Sequence, residues 1–222
     1  MYRFNDILIE FVNHDCFRIT WKGKVIYTDP FRVEERPKKG DIITVSHDHF
    51  DHLSLGDIRK VSTENTVILA SKNCEGKLKE VKVAKIEYLK PGEASAIEGM
   101  RFSAVPSYNL TKFRAPGQPF HPKEYGGVGW IITLQGHKIY HAGDTDNIPD
   151  IVGFGDIDVA LLPVSGKYVM TVDEAVEMVK MLKPKVAIPM HIGSIVGSFA
   201  DANSFKDKAS KYCEVIVLRP ES

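Results

Sequence analysis

His47-Asp48-His49-Phe50-Asp51-His52 is the stretch on which the reading of this 222-residue chain turns. It follows Asp41 to Ser46, a run of β-branched residues that reads as a strand, so the six residues sit at a strand's end. Imidazole nitrogen and carboxylate oxygen bind zinc and similar ions at about 2.0–2.2 Å. In an extended turn, residues i and i+2 point to the same side, which lets His47 and His49 face one ion. Asp51 and His52 follow where the chain turns into the next element. One short loop can thus present two ligand sets, one for each of two metals about 3.5–4 Å apart. Given 8 His and 29 Asp+Glu in the chain, three His and one acid at these offsets arise by chance on the order of once in a thousand. That rarity argues against a plain polar surface loop.

Working outward, the first half reads as short strands rich in β-branched and aromatic residues: Ile7 to Val12, Cys16 to Trp21 and Val25 to Thr28. Lys22-Gly23-Lys24 is a tight-turn signal between the last two. Thr66 to Ser71, Val81 to Leu89 and Met100 to Tyr108 are further strands. From Asn109 to Gly127, Pro116, Gly117, Pro119 and Pro122 rule out a long regular element, and loops of this length are often functional. The second half alternates strand and helix. Val128 to Leu134 and Lys138 to His141 flank the turn Gln135-Gly136-His137. Ile157 to Val164 suits a buried strand. Thr171-Val172-Asp173-Glu174 has capping-box spacing and opens a helix that ends before Pro184. Val186 to Met190 is a strand running into His191, Ala202 to Tyr212 a helix, and Glu214 to Leu218 a last strand. No Gly-, Ser- or Pro-rich linker, repeat or low-complexity segment interrupts the chain. The order fits one α/β domain over residues 1–222, with two sheets covered by helices.

Composition narrows the function. Lys+Arg and Asp+Glu both number 29, and 26% of residues are charged, so the chain is not a strongly basic nucleic-acid binder. No apolar stretch approaches the length of a membrane span. The first residues, Met1-Tyr2-Arg3-Phe4-Asn5-Asp6, lack an apolar signal core, so cytoplasmic residence is the expectation. Cys16, Cys74 and Cys213 are odd in number and far apart, which fits inert thiols and neither a disulfide framework nor a cysteine zinc site.

A metal site needs ligands from elsewhere as well. His141-Ala142-Gly143-Asp144-Thr145 and Met190-His191-Ile192-Gly193 each place a candidate ligand, Asp144 and His191, in a loop at a strand's end, where open α/β sheets usually bind their ligands. Alone, Asp144 reads as a turn residue and His191 as a structural one; beside the six-residue run both become ligand candidates.

With these residues in place, the sequence resembles the metallo-β-lactamase superfamily, and within it the branch of the L-ascorbate-6-phosphate lactonases and many uncharacterised metal-dependent hydrolases. Thr28-Asp29-Pro30, the His-x-His-x-Asp-His run, His141 to Thr145 and Pro189-Met190-His191 occur in the expected order along nearly the whole chain. The resemblance implies a four-layer αββα sandwich. It implies that His47 and His49 bind a first metal, that Asp51, His52 and His191 bind a second, and that Asp144 bridges them. Asp29 would orient the metal-binding loop without being a ligand. The family often supplies a further His to the first metal. Here Val105-Pro106-Ser107-Tyr108-Asn109 offers Asn109 in its place. Either His121, in Pro119-Phe120-His121-Pro122, replaces that ligand, or the first metal has fewer protein ligands. His14 lies between two strands near the expected site, in a substrate or hydrogen-bonding role or a structural one. Lys167 and Tyr168 follow a strand end and are weaker substrate candidates; His141 reads as structural and His137 as a turn residue.

The resulting expectation is a hydrolase holding two divalent ions, zinc foremost, with manganese or iron as the other candidates. The metals lower the pKa of a water from 15.7 to about 7, and Asp51 accepts a proton or holds the nucleophile. The substrate would be a small ester, lactone or phosphodiester. A nuclease is the rival enzyme, disfavoured by the zero net charge. A non-hydrolytic metal-binding or redox module, with iron, is the rival from another class. A homo-oligomer is compatible with the sequence, and a membrane partner is not expected.

Overall fold

The computed structural model describes residues 1–35 and 37–220. The chain falls into two compact units, one of residues 1–89 joined by the C-terminal residues from Leu218, the other of Lys90–Val217.

The first unit is a seven-stranded sheet in chain order: β1 (Tyr2–Phe4), β2 (Ile7–Asn13), β3 (Cys16–Trp21), β4 (Lys24–Thr28), β5 (Ile42–Val45), β6 (Val67–Ser71) and β7 (Lys85–Leu89). Strands β1 to β4 are antiparallel, and β4 to β7 are parallel. Lys22 and Gly23 both take positive φ, 47° and 82°, as the tight hairpin turn between β3 and β4 requires. Helix α1 (Leu55–Val61) is capped by Ser54, whose hydroxyl accepts from the Asp57 amide. Its apolar residues Ile58 and Val61 pack with Val25, Tyr27, Ile43, Val45, Ile68 and Ala70. That burial fixes the loop between β5 and α1, which is the His-rich run. The strand expected over Val81 to Leu89 begins only at Lys85. Val81 is instead buried under the sheet's core, so its apolar character serves packing and not strand pairing.

The second unit is a seven-stranded sheet in the order β16-β15-β14-β13-β12-β9-β8. Its strands are β8 (Ala94–Ile97), β9 (Met100–Pro106), β12 (Val128–Leu134), β13 (His137–His141), β14 (Val159–Pro163), β15 (Val186–Met190) and β16 (Glu214–Val215), with β10 (Phe113–Ala115) and β11 (Gln118–Pro119) forming a separate small hairpin. Strands β8, β9, β12 and β13 pair antiparallel; β13 to β16 are parallel. Helix α2 (Val172–Leu182) carries the expected capping box between Thr171 and Glu174. Helix α3 (Phe199–Ala209) starts three residues earlier than its apolar pattern suggests, because Ser198 and Asp201 form a second capping box. His137 is the first residue of β13 and not a turn residue; the turn is Gln135-Gly136, both at positive φ. The last strand spans only Glu214–Val215, shorter than expected.

In both units the parallel strands end at the candidate residues: β5 runs into Ser46-His47, β13 into the Asp144 turn and β15 into His191. Among the described residues no helix is long and apolar enough to cross a membrane.

Candidate metal centre

In the first unit the anchor is Asp29, fully buried at the end of β4 and held at φ 39° with its amide donating to the Thr44 carbonyl, 2.9 Å. Its carboxylate accepts from the Ser46 amide at 2.7 Å, the Ser46 hydroxyl at 2.5 Å and His52 Nδ1 at 2.7 Å. A carboxylate only accepts, so His52 carries its proton on Nδ1 and turns Nε2 outward as a lone pair. Ser46 spends its proton on Asp29, so towards His47 Nδ1, 2.9 Å away, its oxygen accepts. His47 is therefore also protonated on Nδ1. Its Nε2 lies 3.0 Å from His49 Nδ1, so the two rings adjoin. His52 Nε2 lies 3.8 Å from Asp51 Oδ2 and 3.7 Å from Asp15 Oδ2. His14, at φ 55°, brings Nε2 within 3.3 Å of the same Asp51 oxygen and 3.5 Å of Asp15. His14, Asp15, Asp51 and His52 thus share one corner.

In the second unit Asp144 is the centre. One carboxylate oxygen lies 3.3 Å from His121 Nε2, the other 3.4 Å from His191 Nε2. His191 Nδ1 is paired with the Ser165 hydroxyl at 2.7 Å. His191 sits at φ 60° directly after β15. Gly197 closes against it: a Cβ there would stand 2.6 Å from the His191 carbonyl oxygen, so this approach requires glycine. Asn109 is turned to His121. Its Oδ1 accepts from the backbone N–H and Nδ1 of His121, at 2.9 and 2.8 Å.

Both sets are nearly all buried; only His49 and Asp51 are half-buried. In each, imidazole Nε2 atoms and carboxylate oxygens face one another. Placing lone pairs together in a buried site is costly unless something positive sits between them. Rings whose outer nitrogen donates to a carboxylate, hydroxyl or amide oxygen are the usual form of metal-ligating histidine. The residues present therefore fit a divalent cation.

Sequence reading found the ligand candidates but missed the residues that hold or accompany them: Asp15, Ser46, Ser165 and Asp146. Ser46 and Asp15 adjoin His47 and His14, but adjacency alone carries no signal. His141 is fully buried in β13 opposite Trp130. Lys167 is exposed, its ammonium 5.1 Å over the Tyr168 ring. Cys16 and Cys74 are buried, and burial pushes both thiols well above their usual range, as inert thiols should be.

Two sheets with parallel strand ends leading to His and Asp loops define a metallohydrolase-type fold, and comparison with known proteins agrees. The family model for the β-lactamase superfamily domain matches residues 8–191. The UPF0173 metal-dependent hydrolase of Thermoplasma acidophilum is 34% identical over 92% of both chains. The crystal structure of a metal-dependent hydrolase from Parabacteroides distasonis superposes with a TM-score of 0.83 at 33% identity, covering 96% of this chain and 94% of that one. Igni18, a metallo hydrolase from Ignicoccus hospitalis, shares the fold at a TM-score of 0.77 and 22% identity, covering 97% and 96% of the two chains. The chain belongs to the metallo-β-lactamase superfamily. It has that family's mixed α/β fold and is a metal-dependent hydrolase.

Proposed function

We propose that the ligand sets of the two units act together as one dinuclear site within a single hydrolase domain, cleaving a small ester, lactone or phosphodiester. The reading assigns His47, His49 and His121 to one ion, Asp51, His52 and His191 to a second, and Asp144 to both, with zinc as the resident metal. The family model, which spans residues from both units, supports their working as one.

The observation that carries the reading is the oxygen atom that the chain holds against Nδ1 of three rings, which sets their tautomer. His47, His52 and His121 each have Nδ1–H engaged by an oxygen acceptor within the chain, at 2.9, 2.7 and 2.8 Å. Each Nε2 lies on the far side of the ring from that acceptor: that of His47 is 3.0 Å from His49 Nδ1, that of His52 3.8 Å from Asp51 and that of His121 3.3 Å from Asp144. A bound divalent ion supplies a water of pKa about 7 and polarises the substrate oxygen. Asp51 would accept the proton released there: its side chain retains 14% exposure, more than Asp15 or Asp144. His14, 3.3 Å from Asp51 Oδ2, orients that carboxylate and shares its proton. Asp29 holds His52 in its binding tautomer.

The test replaces His47 and Asp144 separately with Ala and measures bound metal by elemental analysis, with turnover on a panel of lactones, phosphodiesters and esters. Loss of metal and rate in both variants is expected. Full metal content and full rate in both would end the proposal, and iron in quantity in the purified protein would replace zinc as the resident ion.

A further inference from the structure

Asn109 is 5% exposed and wholly engaged with its own unit. Its Oδ1 receives two N–H groups of His121, while its Nδ2 donates to Asp146 Oδ1 at 3.1 Å and to the Tyr168 carbonyl at 2.9 Å. The backbone amide of His121 can only donate, and the carboxylate and carbonyl can only accept. The orientation of the Asn109 amide is therefore decided by the network. With Oδ1 facing His121 Nδ1, the ring must carry its proton there.

Asp146 is the other end of this brace. It is 2% exposed, and its carboxylate accepts from the Leu110 and Thr111 amides, both at 2.7 Å, and from the Thr111 hydroxyl at 3.1 Å. Lys112 Nζ lies 3.4 Å from it. The Asp146 amide in turn donates to the Tyr108 carbonyl, 2.9 Å. Asp146 lies two residues after Asp144, in the same turn. The contacts thus close a ring: Asp146 holds Asn109, Asn109 holds His121, and His121 Nε2 meets Asp144 at 3.3 Å. One turn presents a ligand with its first residue and positions a second ligand with its third.

We infer that Asn109 and Asp146 are positioning residues: together they lock His121 in the Nδ1–H tautomer, so that this histidine of the 109–127 loop turns Nε2 to Asp144. The inference rests on the reading of His121 as a metal ligand. It goes further in assigning Asn109 to the holding of that ligand and in giving Asp146 a role that the ligand set does not contain. An amide oxygen suits the task, because it accepts two N–H groups while its nitrogen anchors it to the carboxylate behind. A carboxylate at 109 beside Asp146 would set two like charges together.

The test reads His121 directly. Long-range proton–nitrogen NMR of the full chain, metal-free and titrated with zinc, reports which ring nitrogen is protonated and which one zinc shifts. In the wild type we expect a protonated Nδ1 and a zinc-shifted Nε2 at His121. Asn109→Ala should split the tautomers and weaken zinc binding by about 10- to 100-fold. The exchanged pair Asn109→Asp with Asp146→Asn keeps an acceptor against His121 and a donor–acceptor contact behind it but loses the donor to the Tyr168 carbonyl, and should recover part of the affinity. It also decides the matter if Asn109→Ala does not fold: a folded exchanged pair whose His121 keeps Nδ1–H supports the brace, and one protonated on Nε2 overturns it. A wild-type His121 neutral with its proton on Nε2, or a folded Asn109→Ala protein with wild-type spectrum and affinity, overturns it as well. If zinc shifts no histidine of the wild type, the metal reading itself fails. If zinc shifts His47 and His191 while Asn109→Ala behaves as wild type, only the brace falls.

Discussion

Replacing Asp29 by Asn changes one atom and tests how the His-rich loop is organised. Three donors converge on the wild-type carboxylate within 2.5–2.7 Å, from the Ser46 amide, the Ser46 hydroxyl and His52 Nδ1. Asp29, Ser46 and His52 are all fully buried, so water cannot replace a lost partner. An amide keeps one acceptor oxygen, which the Ser46 N–H claims, because that N–H can do nothing but donate. The new NH2 then faces the Ser46 hydroxyl and His52 Nδ1, and both must turn their protons away. His52 takes its proton on Nε2, the atom that points at Asp51 and Asp15. Hydrogen bonds to a charged group contribute about 1.5–3 kcal/mol each. Losing the charge on three of them, with shape kept, should cost about 3 kcal/mol of unfolding free energy in the metal-free protein. Disturbing the group that orients a ligand should weaken metal binding about 10- to 100-fold. Urea denaturation of the metal-free protein separates the first effect from the linkage of metal to stability, and a zinc titration reads the second. Stability lost with zinc affinity unchanged would refute the argument that Asp29 acts through the His52 tautomer. No loss of stability at all would refute the buried network.

Two further outcomes follow from features away from the ligands. Arg18 grips Glu10 at both carboxylate oxygens, 2.8 and 2.6 Å, and this hydrogen bonding holds the Glu10 carboxyl below its ordinary value of 4.5. A depressed folded-state pKa adds stability that is fully present above the unfolded value and is lost as pH falls through the folded one. The stability gap between wild type and Glu10→Gln should therefore be constant above pH 4.5 and shrink below it; a gap that widens on acidification contradicts this. Gly129 on β12 lies so close to β13 that a Cβ would stand 2.9 Å from the carbonyl oxygens of His141 and Ala142. Gly129→Ala should cost about 1–3 kcal/mol through overpacking and, by displacing the strand that leads into the Asp144 turn, lower zinc affinity; an unchanged thermal midpoint and zinc titration would contradict it.

Strands such as Cys16–Trp21, Val128–Leu134 and Val186–Met190 coincide with their apolar and β-branched runs, because such side chains fit a pleated surface packed on a core. The Thr171 cap was legible for a similar reason, its partner being three residues away. Helix α1 was not: its seven residues offer too little periodicity, and packing on the first sheet's core stabilises it. The Val81 segment misled in the opposite direction, since burial alone does not specify pairing.

The same division runs through the site. Sequence alone determined which side chains can bind a metal, since imidazoles and carboxylates declare their chemistry by identity and the run from His47 to His52 by spacing. It could not determine which oxygen each ring nitrogen meets, nor that Asn109 is bonded to His121. Those depend on Asp29 meeting His52 across 23 positions, on Asn109 meeting Asp146 across 37 and on His121 meeting Asn109 across 12. A proton's place on a ring is set by whichever acceptor the fold brings against it, and only the tertiary structure decided that.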